Sequence, residues 1–249
     1  MNERIHYLPS EYVMAYVHPV RFHFSSQECS ANQAFVQHLG AEAFQYATEI
    51  LDFTPARQVH VCCYHDVATS CRALGREVSP TMAMAPLSDE ASGLAIIHSP
   101  SLDPMNRDTS RMMRILVHEF VHLLVAERSG SIKILGDHNR NMRISGWLNE
   151  GIAEAVGLQA IGAETRISSM AERFQMAQTV YSFESLSQQL DDLDHAVRSE
   201  AFVYATGAVH LLCHRAGGIR NVFDQILQIE EFFDPNDRCC PSRLAEYDR

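Results

Sequence analysis

The feature that most constrains this chain is an apolar run interrupted by three ionisable residues, Ile115-Leu-Val-His-Glu-Phe-Val-His-Leu-Leu-Val-Ala126. With Met112 and Met113 before it, the segment is apolar on nearly every side, which is the pattern of a buried helix. On a helix, His118 and His122 share one face with their Cβ atoms about 6 Å apart, and Glu119 leans over the same place. That is the spacing of a chelate. Ionisable groups buried without partners cost several kcal/mol, and one divalent metal compensates all three. A bare HExxH also turns up in many unrelated chains, so the weight falls on what the rest of the sequence offers beside it.

A second segment, Trp147-Leu-Asn-Glu-Gly-Ile-Ala-Glu154, begins a helix expected to run to about Ala163. A catalytic zinc site uses three protein ligands and keeps a fourth position for water, and two histidines plus one carboxylate form a standard set. Glu150 and Glu154 lie one turn apart on the same face, so spacing alone lets either reach the metal. Together the two motifs resemble the gluzincin metallopeptidases, the group that includes thermolysin and the aminopeptidase N type. The resemblance runs roughly from Val59 to Ile229, strongly at the two motifs and loosely elsewhere. It implies one Zn2+ per chain held by His118, His122 and Glu150, with Glu119 as general base. It also implies that Glu154 hydrogen-bonds a ligating histidine and fixes its orientation. A metzincin would need a third histidine where Arg128 stands. The stretch between His122 and Glu150 is longer than is usual in thermolysin-like members. Its turn formers Gly130, Gly136, Asp137, Asn139, Asn141 and Gly146 make it read as a surface excursion.

What the resemblance implies for function is zinc-dependent hydrolysis of a peptide bond, with Glu119 taking a proton from the attacking water and passing it to the leaving amine. Ser199 to Gly218 is similar to a Tyr-Ala-x-Gly helix of small gluzincin-like peptidases, which implies Tyr204 as donor to the oxyanion; the alternative is an aromatic that packs on its helix. In zincins the strand before the active helix is an antiparallel edge that takes substrate as an added strand, which implies backbone contacts from Ala95, Ile96, Ile97 and His98. An endopeptidase with a restricted protein substrate is expected. An aminopeptidase would need an acidic Gly-x-Met-Glu-Asn anchor, which Ser79 to Pro86 does not supply. An alternative of another class is a catalytically silent, zinc-stabilised binding protein, marked by loss of the base, and Glu119 is intact. His210 and His214 form a second pair four apart without an acidic partner and read as helix histidines, while His138 is a weaker candidate for substrate contact.

At 249 residues and a formal charge of -11, the chain can bury one sizeable core and lacks the basic surface that nucleic acid requires. No run of 18 apolar residues and no amino-terminal signal pattern is present, so no membrane association and a cytoplasmic location are expected. The seven cysteines, among them the adjacent pairs Cys62-Cys63 and Cys239-Cys240, are read as reduced thiols. Periodicity predicts strands near 16–24, 58–64 and 93–98 and a helix over 30–52. Further helices are predicted near 106–128, 147–163, 166–179, 183–190, 199–215 and 221–229. The expected class is α+β: a small zincin-like mixed sheet with an antiparallel edge strand, then a mainly helical C-terminal lobe. Residues 1–249 are expected to form one catalytic unit, with the sheet and HExxH helix in 1–129 and the third ligand in a helical lobe over 147–249.

Overall fold

Period-two patterning builds the sheet. In the computed structural model, which describes residues 9, 11–69, 83–84, 93–130, 144–177, 181–192 and 194–247, strand β2 (Val20–Phe24) buries Val20, Phe22 and Phe24 and leaves Arg21 and His23 half exposed. It follows β1 (Val13–Val17) through a turn at His18-Pro19, where proline has no N–H to donate to a ladder. The single strand expected over 16–24 is therefore an antiparallel hairpin. Helix α1 (Ser30–Leu51) then crosses over to β3 (Val59–Tyr64), which runs parallel to β2. Strands β4 (Ala83–Met84) and β5 (Leu94–His98) complete a mixed sheet in the order β1-β2-β3-β5-β4.

This topology corrects one expectation. Ala95, Ile96, Ile97 and His98 were placed on an antiparallel edge, but β5 is parallel to β3 on one side and carries β4 antiparallel on the other. Among the described residues both outer strands are antiparallel to their neighbours, β1 at one edge and β4 beside β5 at the other. Within that described part, β4 pairs Ala83 with Ile97 and Met84 with Ile96.

The sheet turns Val20, Phe22, Phe24, Val59, Val61, Cys63, Ala95 and Ile97 toward one core. Onto it pack α1 and α2 (Thr109–Ser129), the helix that carries His118 and His122. A smaller cluster of Cys62, Tyr64, Leu94 and Ile96 lies on the opposite face. Helix α2 begins at Asp108, whose side chain accepts from the Arg111 N–H, and ends at Gly130 in a left-handed conformation, φ 63°.

The remainder is mainly helical, as expected: α3 (Gly146–Gln159), α4 (Glu164–Gln175), α5 (Phe183–Gln189), α6 (His195–Ala216), α7 (Ile219–Asp224), α8 (Ile226–Phe232) and α9 (Pro241–Ala245). The helix expected near 221–229 is interrupted at Gln225 into α7 and α8. Strands β6 (Tyr181–Ser182) and β7 (Arg238–Cys239) form a short ribbon that sequence reading missed. No helix among the described residues is long and apolar enough to cross a membrane. His138 and Cys71 lie outside the described residues.

Glycine sets how closely the helices meet. A Cβ at Gly151 of α3 would lie 2.6 Å from the Ala205 carbonyl oxygen and 2.6 Å from Val209 Cγ2 on α6, and backbone cannot swing aside as a flexible side chain can. A Cβ at Gly207 on α6 would meet Phe174 Cβ at 2.7 Å and the Met170 carbonyl oxygen at 2.9 Å on α4. Gly151→Ala is expected to force α3 and α6 apart and to cost about 1–3 kcal/mol of folding stability, the usual range for overpacking. Urea unfolding monitored by circular dichroism measures it, and an unchanged midpoint would show that the contact can relax.

Candidate metal centre

Because residues four apart on a helix share a face, α2 presents Arg114, His118 and His122 as one row, running from a partly exposed arginine to a buried histidine. Facing them, α3 presents Glu150 and Glu154 in the same spacing. The amino-terminal end of α3 is fixed from outside. Glu230 on α8 accepts from both the backbone N–H and the hydroxyl of Ser145, each at 2.9 Å, and so places a carboxylate at a helix amino terminus, where the dipole favours it. Ser187 Oγ accepts from the Trp147 N–H at 3.1 Å, and the buried Trp147 ring packs on Phe183 and Phe233. These anchors set the rotation of α3, and with it the direction of Glu150.

Three side-chain atoms converge as a result. His118 Nε2 and His122 Nε2 are 3.0 Å apart, and Glu150 Oε2 is 3.2 Å from the first and 3.3 Å from the second. A tetrahedral ion with bonds of 2.0–2.1 Å holds its ligand atoms about 3.3 Å apart, so the trio already has the separations of a chelate. Among the described residues it is the one group of three or more His, Cys, Asp or Glu side chains drawn together in this way.

The other nitrogen of each imidazole is also engaged. His122 Nδ1 donates to Asn149 Oδ1 at 3.0 Å, and His118 Nδ1 lies 3.5 Å from Glu154 Oε2. Acceptors on the Nδ1 side leave both Nε2 lone pairs directed at the shared point, which is how ligating histidines are oriented. Glu154 thus stands where an orienting carboxylate is needed, and Glu150, not Glu154, joins the histidine Nε2 atoms. Asn149 was inside the segment that drew attention to α3 but received no role. Its partner lies on another helix, and spacing within one segment does not reveal such a pairing.

Glu119 supplies a further test of whether these residues suit a metal and a bound water. It is 5% exposed, and its Oε2 is buried with no hydrogen-bond partner among the described residues. A buried carboxylate oxygen left without a partner costs about 1–3 kcal/mol, and a metal-bound water would satisfy it. Burial raises its pKa, against the opposing pull of His118 and His122.

Tyr204 is placed elsewhere. It is buried, its hydroxyl donates to Glu200 Oε1 at 2.8 Å, and its ring packs against Phe174 and Tyr181. The α6 residue that approaches the trio is Phe202, its ring centroid 6.2 Å from that of His118. Two positions along a helix turn about 200°, so Phe202 and Tyr204 lie on opposite sides of α6. The expectation that Tyr204 serves the site is corrected on this geometry. His210 and His214 bring their Nε2 atoms to 3.0 Å on α6 with no described acidic residue joining them.

The sequence matches no protein-family model and no curated protein.

Without metal, the trio forms a proton-dependent ion cluster. Burial opposes charge on His118, but hydrogen bonds to Glu150 and Glu154 outweigh it and raise its pKa from 6.5 to about 10. The same cluster holds Glu150 well below the usual carboxylate range against the opposing effect of burial. A raised folded-state value contributes stability that is complete below the unfolded value and lost as pH climbs through the folded one. Chelator-treated protein is therefore expected to lose stability between about pH 6.5 and pH 10. Denaturant titrations across that window measure the loss, and a His118→Ala variant should show a smaller slope. Equal slopes would assign the proton to another group.

Proposed function

We propose that this chain is a zinc-dependent peptide-bond hydrolase of gluzincin type, an endopeptidase with a restricted protein substrate. The observation that carries the reading is the convergence of His118 Nε2, His122 Nε2 and Glu150 Oε2 within 3.0–3.3 Å, beside the unpartnered Oε2 of Glu119. His118, His122 and Glu150 would hold the ion. When bound, zinc supplies Lewis acidity that polarises a carbonyl and lets water ionise near neutral pH.

The chain's own residues do the rest. The free Oε2 of Glu119 accepts a proton from the attacking water and then returns it to the leaving amine. Its raised pKa brings the carboxyl closer to the range where it both takes and gives a proton. Asn149 and Glu154 keep the two imidazoles from rotating as charge develops. Phe202 on α6 sets an apolar ring beside His118, 6.2 Å between centroids.

Protein purified without added metal is expected to contain one zinc per chain by elemental analysis. Glu119→Gln should retain that zinc and lose roughly 10²- to 10⁴-fold in turnover, the usual contribution of a general base. Comparing the cleavage products of a proteome-derived peptide library for wild type and Glu119→Gln tests this, and equal profiles would remove the assignment.

Tyr204→Phe deletes the hydroxyl bonded to Glu200. It is expected to cost about 0.5–1.5 kcal/mol of stability and to leave turnover unchanged. A large fall in kcat with a normal melting temperature would return Tyr204 to the site.

A further inference from the structure

One charged residue of the ionisable row on α2 stands apart from the His118, His122 and Glu150 trio. Arg114 precedes His118 by one helical turn, and its Nη2 donates to both oxygens of Glu154, at 2.7 Å and 2.8 Å. The Glu154 side chain is 2% exposed, and its Oε2 is the atom 3.5 Å from His118 Nδ1. The three groups form a line from a cation to a buried carboxylate to an imidazole, and the imidazole's far nitrogen faces Glu150. Nothing else described binds both Glu154 oxygens, so Arg114 sets the plane of that carboxylate.

The helix contact is cut to fit this arrangement. A Cβ at Gly157 on α3 would lie 3.1 Å from the Arg114 carbonyl oxygen, 3.4 Å from its Cγ and 3.7 Å from His118 Cβ. A glycine there lets α3 approach α2 closely at the turn where the Arg114 and His118 side chains leave the backbone. Removing one member of a buried ion pair leaves the other uncompensated, which is costly in a way that loss of a surface pair is not.

We infer that Arg114 is a positioning residue for the metal centre, acting through Glu154 on the orientation of His118 without touching the ion. The inference rests on the metal-centre reading. Groups that orient metal ligands typically contribute 10- to 100-fold in affinity. Arg114→Met keeps an unbranched apolar stem and removes the cation, so it is expected to weaken metal binding roughly 10-fold. Arg114→Lys, which returns a donor cation, is expected to recover most of that loss.

The test is titration of metal-free protein with Co2+ and Zn2+ in competition with a chromophoric chelator, together with the visible spectrum of the Co2+ form. Affinity of Arg114→Met equal to wild type overturns the inference, as does Arg114→Lys no better than Met, since shape alone would then explain the effect. Wild type that binds no metal overturns the metal-centre reading and this inference together. Wild type that binds while Arg114→Met is unchanged overturns this inference alone.

The pair Glu154→Gln and Arg114→Met/Glu154→Gln keeps the test decisive if Arg114→Met does not fold, because neither contains an unpaired buried anion. The double variant should bind metal as Glu154→Gln does. A further loss in the double variant would show that Arg114 acts by another route and overturn the inference.

Discussion

A helix that carries Arg114, His118 and His122 through a core can be buried only against a surface that offers charge and hydrogen-bond partners at the same repeat. Helix α3 is that surface, with Glu150 and Glu154 one turn apart and Asn149 beside them. Much of the fold serves to hold these two helices in that relation. The sheet and α1 cover the apolar sides of α2, while Glu230 and Ser187 fix the start of α3 from the helical part. Glycines 151 and 207 seat α6 against α3 and α4. Close packing here is therefore a condition of electrostatics. If the helices stood a methyl group further apart, each buried charge would lose its partner.

The same geometry divides labour among carboxylates of one chemical type. Glu150 shares its Oε2 between two imidazoles, Glu154 is tied down by Arg114, and Glu119 keeps one oxygen free. Burial pushes the last upward, whereas in Glu154 the same burial is overcome by the His118 hydrogen bond and the Arg114 charge. What separates the three carboxylates is the set of neighbours each is given.

The convergence of His118, His122 and Glu150 was legible in the sequence because the four-residue spacing is a property of one helix and the Trp147 to Glu154 segment is specific enough to mark its partner. The mixed sheet and the helical second half were legible for a similar reason, as local periodicity survives in Val59-His-Val-Cys-Cys-Tyr64 and in the amphipathic runs. What failed depended on phase or on pairing. Tyr204 was assigned to the site from its helix alone, but which side of α6 meets α3 is decided by Gly151 against Ala205 and Val209. The edge role given to Ala95–His98 failed because β4 pairs on the outer side of β5, a pairing that no local pattern in Leu94–His98 reveals. Asn149 and Arg114 acquire their roles only across the interhelical contact.

Gly157 lies beyond the segment that identifies α3, and it contributes no atom to any hydrogen bond in the cluster. Yet a Cβ there would lie 3.1 Å from the Arg114 carbonyl oxygen, with Arg114 Cγ and His118 Cβ next nearest. A chain could keep His118, Glu119, His122 and the whole of Trp147 to Glu154, place a valine at 157, and have to move its two helices apart at that turn. The spacing of the cluster is thus recorded partly in an omitted side chain, so two chains with identical signatures can differ in how closely those residues meet.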